Sequence, residues 1–481
     1  MSMKMSMEAK SSLASHVMVM LGIPGYMCML LSFLILCSLI LGWMQLARCR
    51  SLTAKRIRNA RNHIILGHNK PADADDDASS SFPSLAVILP VRSLKPHSIA
   101  RWKRQLAVRY RGQINFTFVV ESKTDPAYDA IRDEIIINNN NNNNNSSREN
   151  FNANANIIVA GCCCSNVTSL RSQKIHNQLA ALSQTSSELV LFLDDDMELP
   201  SHALEAAAHV LLTDKRPSLC VTGYPCDYVA DCQAPVWAHA AAAYRKVLSI
   251  PYGFSDAAGF VWGGFMLMHR SDARDVAREW SAGGYSDDLV VAGVAANTQR
   301  VVLTPYTLAF PTIHDSTTSW IAYWNYLRRQ CYTCFTYTNA TMHRVNATMA
   351  AVHVALSLLT GIGATIAVTT PGWPLVAFVL ITLASAASIR SADLAVWELY
   401  VTGCRAAARV APGAWHDVDA ATGFSPPPTS LVPYVKTAVA VVFHQFVIAA
   451  AFAVTFFRSD VVWGGRRYWC KGGRLSKVDV L

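Results

Sequence analysis

Apolar and polar positions divide the chain into an apolar segment, a long mixed region and a second apolar region. Residues Val17 to Leu46 are almost continuously apolar. This run exceeds both the roughly 20 residues that cross a bilayer as a helix and the length of a signal-peptide core, so we predict an uncleaved membrane anchor. Basic residues follow at once, from Arg48 to Arg61. Because positive charge accumulates on the cytoplasmic side of membrane helices, the next region is expected to face the cytosol.

In the mixed region, short apolar runs alternate with segments of helical periodicity. Runs rich in β-branched and aromatic residues predict strands at residues 85–92, 116–122, 156–160, 190–193, 219–224, 259–268 and 301–303. Helical patterns fall between them at residues 172–183, 202–212, 236–248, 287–294 and 319–330. Regular alternation of this kind predicts an α/β fold, with a mostly parallel sheet and helices on both faces.

The C-terminal third is expected to be membrane. Apolar runs at Ala350–Val368 and Pro374–Ile389 are long enough to span as a hairpin, and Leu431–Phe457 contains a further span. The mixed segment Arg390–His416 is expected to lie on the membrane surface. Positive charge in the tail favours a cytosolic C-terminus, whereas three spans that start in the cytosol end on the other side. The number of spans therefore stays open.

These patterns divide the chain into five segments. They are a tail and signal anchor (residues 1–47), a basic segment with an acidic linker (48–82), an α/β domain (83–345), a transmembrane region (346–457) and a basic tail (458–481). An Asn-rich stretch within the α/β domain, residues 138–155, is predicted to be a disordered insertion.

Composition supports the membrane prediction. Hydrophobic residues make up 52% of the chain, only 16% are charged, and the mean hydropathy is +0.21, which is too apolar for an ordinary soluble protein of this size. The net charge of +9 is concentrated beside apolar segments, as suits anionic lipid headgroups, and no nucleic-acid-binding signature is present. The thirteen cysteines are scattered without a disulfide framework.

The most informative stretch runs from Val190 to Pro200, where four apolar residues lead into Asp194, Asp195 and Asp196. If the apolar run is a strand, the carboxylates lie at its C-terminal end, where ligands bind in open α/β sheets. Adjacent carboxylates raise one another's pKa unless a cation neutralises them, and hard oxygen ligands favour Mg²⁺ or Mn²⁺. The alternative is a solvated acidic turn that caps the next helix.

Further charged residues follow other predicted elements. Asp125 precedes a proline, Lys174 lies on a helix, and Asp287-Asp288 open another helix. Arg328-Arg329 stand near a helix end. Carboxylates that hold a metal or act as a base, with an arginine that binds a diphosphate, are the groups that a nucleotide-sugar site needs. Each has a structural alternative: an Asp-Pro turn, a solvated lysine, or a helix cap.

The order of these motifs resembles that of processive-type, inverting nucleotide-sugar glycosyltransferases of the Rossmann-like GT-A fold, and more narrowly that of the ceramide glucosyltransferases. Their motifs are an Asp before Pro, a DxD-type motif, a later Asp pair and (Q/R)xxRW. The matching residues here are Thr124–Ala127, Asp194–Asp196, Ser286–Asp288 and Tyr326–Gln330. The last motif departs at both ends, because it begins with Tyr and ends with Gln. The resemblance covers residues 83–335 and the membrane layout.

The resemblance implies roles for the site residues. Asp125 contacts the uridine of UDP-glucose, and Lys174 lies near the nucleotide. Asp194 and Asp196 hold the divalent cation, Mg²⁺ or Mn²⁺, with Asp196 as the main ligand and Asp194 also near the substrate.

The same resemblance implies the catalytic groups. Asp288 is the general base, supported by Asp287. Arg329 contacts the diphosphate or closes the acceptor site, and Arg328 belongs to the substrate-binding residues.

The implied reaction belongs to sphingolipid metabolism. Glucose passes from UDP-glucose to the primary hydroxyl of ceramide by single displacement, which gives β-glucosylceramide. The implied protein is a multi-pass membrane protein of the Golgi or ER whose catalytic domain faces the cytosol. The sequence leaves open the sugar, the ceramide species, the oligomeric state and the choice between the two organelles.

Two alternatives remain from the sequence. A membrane glycosyltransferase that extends a polysaccharide would share the fold, but such an enzyme needs a channel of several spans and usually an intact QxxRW motif. A non-catalytic membrane scaffold with a decayed transferase domain would not need to retain the acidic motifs, so their presence argues against this alternative.

Overall fold

The structure, a computed structural model, describes residues 41–59, 82–95, 97–108, 110–137, 153–165, 170–200, 202–229, 231–248, 255–314, 316–369, 372–410, 427 and 430–481. Most of the expected anchor (residues 17–46) and of the Asn-rich insertion (residues 138–155) lies outside the described residues. Residues 41–59 form helix α1, which contains the end of that anchor and most of the basic residues after it.

The described strands form three sheets. The central sheet contains β1 (Leu85–Pro90), β2 (Ile114–Val120), β3 (Ala153–Val159), β4 (Leu189–Leu193), β5 (Ser218–Thr222), β7 (Ala257–Ala258), β8 (Phe265–His269) and β9 (Val301–Leu303). A second sheet pairs β6 (Tyr224–Val229) with β10 (Ala309–His314). The third is antiparallel and consists of β11 (Asp460–Trp463), β12 (Arg466–Lys471) and β13 (Arg474–Val480).

Helices connect and cover these strands. In the α/β domain they are α2 (Ser98–Leu106), α3 (Pro126–Ile131), α4 (Gln173–Leu182), α5 (Ala203–Thr213), α6 (Val236–Leu248), α7 (Arg270–Ser281), α8 (Asp287–Asn297) and α9 (Trp320–Thr333). The C-terminal third contains α10 (Ala340–Thr369), α11 (Trp373–Val410) and α12 (Leu431–Phe457).

The central sheet is mostly parallel, which confirms the predicted fold class. Its strand order is β3-β2-β1-β4-β8-β5-β9-β7. β1 lies parallel to β2 and β4, whereas β8 is antiparallel to β4 and β5. Alternate residues of the strands pack against α2, α3 and α5 on one face and α4, α7 and α8 on the other. Burial on both faces explains why these strands read as continuous apolar runs.

Two strand predictions need correction. Residues 259–264, predicted within a strand pair, form an irregular segment before β8. The basic tail 458–481 contains the three strands β11 to β13, which the sequence analysis missed. Alternating polar and apolar residues on short strands give a much weaker signal than a buried apolar run.

Three described helices are long and apolar enough to cross a membrane, namely α10, the first 30 residues of α11, and α12. The sequence prediction ended the second span near Ile389, but α11 continues without interruption to Val410. Polar groups there have partners: Lys246 lies 2.8 Å from Asp393, and Arg390 lies 3.5 Å from it. Beyond Arg390, Val396 and Leu399 pack in one cluster with Tyr224 and Cys226 of β6. A position of this segment at the membrane surface stays a prediction.

Helix α12 stays beside the α/β domain along its length. Near its start, Lys436 donates to the carbonyls of Cys232 at 2.9 Å and Ala234 at 3.0 Å. Near its end, the ring of Phe456 lies 6.4 Å from that of Phe335. The sheet β11–β13 that follows packs on the same domain. The C-terminal sheet and the α/β domain therefore lie next to each other in the fold. The side of the membrane that they face stays a prediction.

Candidate active site

The carboxyl ends of the parallel strands open into one cavity of about 480 Å³. β4 ends at Leu193, so Asp194, Asp195 and Asp196 leave the sheet at this edge and line the cavity. The N-terminus of α8 brings Asp287 and Asp288 to the same space. The structure thus assembles two acidic motifs that are separated by about ninety residues in the sequence, as the strand-end rule for α/β sheets predicts.

Lys174 joins the two acidic motifs. Its ammonium lies 2.7 Å from Asp194 and 2.9 Å from Asp287, and it donates to the carbonyl of Gly263 at 3.0 Å. Burial lowers the pKa of Lys174, but the two carboxylates outweigh that effect and hold the pKa above its usual range. Gln178 donates a further hydrogen bond to Asp287 at 2.9 Å. Lys174 is therefore a fixed positive charge rather than a solvated surface lysine.

Asp288 lies in the first turn of α8 and also lines the cavity. One oxygen accepts hydrogen bonds from the Ser286 hydroxyl and, at 2.8 Å, from the amide of Leu289. The other accepts the amide of Gly263 at 3.1 Å. An ionised carboxylate has about four acceptor positions, so one remains. Burial and the neighbouring Asp287 raise the pKa of Asp288, which is the shift that a general base at neutral pH requires.

The site closes tightly around Gly263. A Cβ at this position would lie 3.1 Å from Asp287, 3.2 Å from Asp288 and 3.3 Å from Lys174. Its amide and carbonyl bind the last two residues directly. The irregular segment 259–264, which the sequence analysis took for a strand, therefore holds the backbone between the base candidate and the lysine.

The carboxylates of the Asp194–Asp196 turn differ in their partners and in their exposure to the cavity. Asp196 is 48% exposed, and Lys95 lies 3.6 Å from it and 3.3 Å from Asp195. Burial raises the pKa of Asp196, but Lys95, Arg101 and Arg329 outweigh it and hold the pKa below its ordinary value. Burial and Asp196 raise the pKa of Asp195 to about 7. Asp196 is therefore the member of the turn that offers an ionised carboxylate to the cavity.

The donor set of this turn fits a hard divalent cation. All three side chains offer carboxylate oxygens, the ligands that Mg²⁺ and Mn²⁺ prefer. One buried oxygen of Asp195 also lacks a hydrogen-bond partner in the part of the chain that the structure describes. Asp194 is held by Lys174 on one oxygen, which leaves it able to share a cation with Asp196. The assignment of the metal to Asp194 and Asp196 stays a prediction, and Asp195 offers a further carboxylate oxygen beside them.

The two arginines of α9 diverge. Arg329 lines the cavity, and its guanidinium lies 4.8 Å from the centre of the Trp463 ring. Arg328 does not line it, because its guanidinium donates to the carbonyl of Asp460 at 3.1 Å and ties α9 to β11. Gln330 and Thr333 line the cavity with Arg329, so this face of α9 turns toward the cavity while Arg328 turns toward β11. A substrate contact of Arg328 stays a prediction.

Asp125 is also outside the cavity lining. It caps α3 by accepting the amide of Ala127 at 2.9 Å, and its two oxygens accept the amide of Ser93 at 3.1 and 3.2 Å. Ser93 itself lines the cavity. Asp125 therefore fixes the loop after β1, and its direct contact with a nucleoside stays a prediction.

The sequence analysis missed several residues that line the cavity. They are Arg92, Lys95, Glu121, Gln173, Tyr285, Trp463, Gly464 and Tyr468. Arg92, Lys95 and Glu121 could have been found, since they follow strands β1 and β2 directly. Residues from the C-terminal tail carried no such signal, because they reach the site only through tertiary contacts.

We expect Lys174→Met to destabilise the protein. The substitution removes the positive charge from two carboxylates, of which Asp287 is only 8% exposed. Removing one partner of a buried ion pair leaves an uncompensated charge, and we expect a loss of about 2–3 kcal/mol in unfolding free energy. Thermal unfolding in detergent micelles should show a decrease in Tm of roughly 5–10 °C.

Lys103→Met provides a matched control for this prediction. Lys103 pairs with Glu134 at 2.8 Å, but the two side chains are 50% and 47% exposed. Exposed pairs contribute less than about 1 kcal/mol, so the Tm should change little. Equal shifts for both variants would contradict a buried structural role for Lys174.

Comparisons with known proteins found similarity only at a low level. No family model and no curated protein matches the chain. Solved structures with a similar fold include the mannosyltransferase PcManGT from Pyrobaculum calidifontis, in complex with GDP-Man and Mn²⁺. It is 14% identical over 86% of this chain and 99% of that chain, with a TM-score of 0.36.

Two further solved structures give the same picture. TarS 1–349 from S. aureus, in complex with UDP-GlcNAc, is 9% identical over 82% of this chain and 100% of that chain, with a TM-score of 0.30. Glucosyl-3-phosphoglycerate synthase from M. tuberculosis is 11% identical over 50% and 76%, also with a TM-score of 0.30.

Proposed function

We propose that this protein is a membrane-bound, inverting glycosyltransferase that transfers glucose from UDP-glucose to the primary hydroxyl of ceramide. The observation that carries the proposal is the joint position of two acidic motifs and fixed cations in one cavity. Asp196 and Asp288 face that cavity, with Lys95, Lys174 and Arg329 beside them. A nucleotide-sugar site needs a base for the acceptor and positive charge for the diphosphate. The choice of glucose and ceramide rests on the motif resemblance.

In the proposed reaction Asp288 accepts the proton of the acceptor hydroxyl while that oxygen attacks the anomeric carbon. The bond from that carbon to the diphosphate oxygen breaks, UDP leaves, and the configuration inverts to the β-glucoside. Asp287, held by Lys174 and Gln178, keeps the start of α8 in place. Arg329 offers a guanidinium to the negative charge that develops on the diphosphate, where charge-assisted contacts are strong.

A divalent cation belongs to this proposal. We propose that Asp194 and Asp196 would hold it, and when bound it would supply positive charge to the diphosphate. Lys95, which lies within 3.6 Å of Asp196, balances the acidic turn from the other side. The depressed pKa of Asp196 keeps that carboxylate ionised at neutral pH.

Support for a lipid acceptor comes from the position of α9. This helix carries Arg329 into the cavity, while Tyr323 and Leu327 on the same helix pack in one cluster with Ile448 and Ala451 of the apolar helix α12. The cavity thus lies one helix away from the apolar helices. An acceptor with a hydroxyl head and long acyl chains could reach the base without leaving the bilayer.

The direct test is transfer from radiolabelled UDP-glucose in membranes that contain the wild-type chain, with ceramide, diacylglycerol and a β-glucan oligosaccharide as separate acceptors. We expect a labelled lipid only with ceramide, and NMR should identify a β linkage. Membranes without the chain give the background. Labelling of the oligosaccharide alone would replace the lipid acceptor by a polysaccharide, and the absence of transfer to all three would overturn the proposal.

The pH dependence should report the environment of Asp288. A base must be ionised, so kcat/KM falls as pH decreases through its pKa, and this acid limb should lie above the ordinary Asp value of about 3.9 because burial and Asp287 raise the pKa. In Ser286→Ala the limb should move to higher pH, because the Ser286 hydrogen bond lowers the pKa of Asp288. Transfer rates measured over a pH series test this.

Thr298→Ala is the control for that series. Its hydroxyl lies beyond the other end of α8 and donates to the carbonyl of Val294 at 2.8 Å, so the acid limb should stay in place. A limb that does not move in Ser286→Ala would assign it to another group.

A further inference from the structure

We infer that the C-terminal sheet β11–β13 forms one wall of the nucleotide subsite, with the Trp463 ring as a stacking surface for the nucleobase. The inference rests on the proposed function and adds a binding element that the sequence motifs do not contain. Trp463, Gly464 and Tyr468 line the same cavity as the acidic motifs. Only two residues separate α12 from β11, so the last apolar helix leads directly into this wall.

The sheet faces the ends of β1 and β2. Arg92, which follows β1, lies against the β11–β12 turn, where a Cβ on Gly464 would come within 2.5 Å of its guanidinium. Both Gly464 and Gly465 have positive φ, at 60° and 61°, and only glycine adopts that conformation readily. Glu121 follows β2 and also lines the cavity. In open α/β sheets the strand ends are where a nucleotide binds.

One ion pair fixes the sheet to the domain. The Arg466 guanidinium donates to Glu121, and its side chain is only 2% exposed. The Tyr468 hydroxyl accepts the amide of Gln173 at 3.4 Å, and its carbonyl accepts the Tyr332 hydroxyl at 3.2 Å. These partners come from the end of β2, the start of α4 and the end of α9. A wall tied to three elements of the cavity has a defined position.

Alternation along β12 separates the two faces of the sheet. Arg466 and Tyr468 are buried toward the domain, whereas Arg467 and Trp469 are only partly buried and point the other way, as the two-residue period of a strand requires. Trp463 is partly buried and lines the cavity. An aromatic ring in the wall of a nucleotide-binding cavity is a group on which a planar base can stack.

The neighbours of Trp463 favour a base over the sugar or the lipid. Arg329 lies over its ring at 4.8 Å, and Tyr285 and Tyr468 lie 6.2 and 6.4 Å from it. If Arg329 binds the diphosphate as proposed, the Trp463 ring beside it lies close enough to contact the base of the same nucleotide. The carboxylate of Glu121 and the guanidinium of Arg92 add polar groups that could read the edge of a base.

The test compares UDP with inorganic pyrophosphate, both with Mn²⁺, on the purified full-length protein in detergent. In Trp463→Ala we expect the Kd for UDP, measured by calorimetry, to rise by about tenfold or more, since each base–aromatic stack accounts for a change of that size. The Kd for pyrophosphate, which has no base, should stay within about twofold. Trp463→Phe keeps an aromatic ring and should restore most of the UDP affinity.

Trp469→Ala is the matched control, because Trp469 lies on the outer face of the same sheet and donates to Asp479 at 3.2 Å. It should leave both Kd values unchanged. Equal weakening of UDP and pyrophosphate in Trp463→Ala would mean that the ring acts through Arg329, and unchanged UDP binding would remove the wall from the subsite. Either result overturns this inference while wild-type transfer still stands. A wild type that neither binds UDP nor transfers glucose would instead overturn the proposed function.

Discussion

Asp288→Asn should reduce the turnover of glucose transfer by about a hundredfold to ten-thousandfold, the range that a general base contributes. Asparagine has nearly the same shape, but it keeps one acceptor oxygen, so it can accept either the amide of Leu289 or that of Gly263. It cannot take a proton from the acceptor hydroxyl. Binding of UDP-glucose should therefore change little. Steady-state kinetics with both substrates varied, together with a Kd for UDP, separate the two effects.

Asp129→Asn is the matched control for charge at a helix N-terminus. Asp129 lies in the first turn of α3 and is 65% exposed, so its removal should leave turnover unchanged. If Asp288 is only a helix cap, Asp288→Asn should cost roughly 1 kcal/mol of stability and leave turnover near the wild-type value. Turnover above about a third of wild type would exclude Asp288 as the base.

Strands buried on both faces were the part of the fold that the sequence predicted best. The run 190–193 is apolar at every position because β4 lies between β1 and β8 in the sheet. Its C-terminal end then places the acidic turn at the ligand-binding edge. The link from apolar run to strand to carboxylate position is local, so it needs no knowledge of distant residues.

Contacts between distant parts of the chain could not be predicted from the sequence. Arg466 and Glu121 are 345 positions apart, and nothing near either one indicates the pairing. The continuation of α11 past Arg390 was not predictable for the same reason, because Asp393 has a partner in Lys246 on another helix. From the sequence alone, a charged residue in an apolar run looks like the end of an apolar helix, because its partner in the fold is not known.

The irregular segment 259–264 shows a third kind of limit. Apolar and glycine residues there predict a strand, yet the segment bends so that the backbone of Gly263 reaches both Lys174 and Asp288. Local propensity was overridden where the site requires a close backbone approach. Departures of this kind are expected at functional sites.

Asp196→Asn should produce the second large effect, a loss of about a hundredfold or more in transfer together with weaker Mn²⁺ binding. The side chain is 48% exposed to the cavity, and its pKa is held below the ordinary value by Lys95, Arg101 and Arg329. An ionised, accessible carboxylate is a good ligand for a hard cation, whereas a neutral amide is a poorer one. Calorimetric titration with Mn²⁺ in the absence of substrate measures the binding independently of activity.

Two further variants test whether Asp196 binds the metal. Asp196→Glu keeps the charge and should retain more Mn²⁺ affinity than Asp196→Asn, although the longer side chain shifts the ligand atoms. Asp214→Asn removes an ion-paired carboxylate at the end of α5, which lies 2.5 Å from Arg216 and does not line the cavity, and it should leave Mn²⁺ binding unchanged. If Asp196→Asn loses transfer but binds Mn²⁺ as the wild type does, Asp196 acts on the substrate directly. In that outcome Mn²⁺ binding would depend on the remaining carboxylates of the turn, Asp194 and Asp195, which also line the cavity.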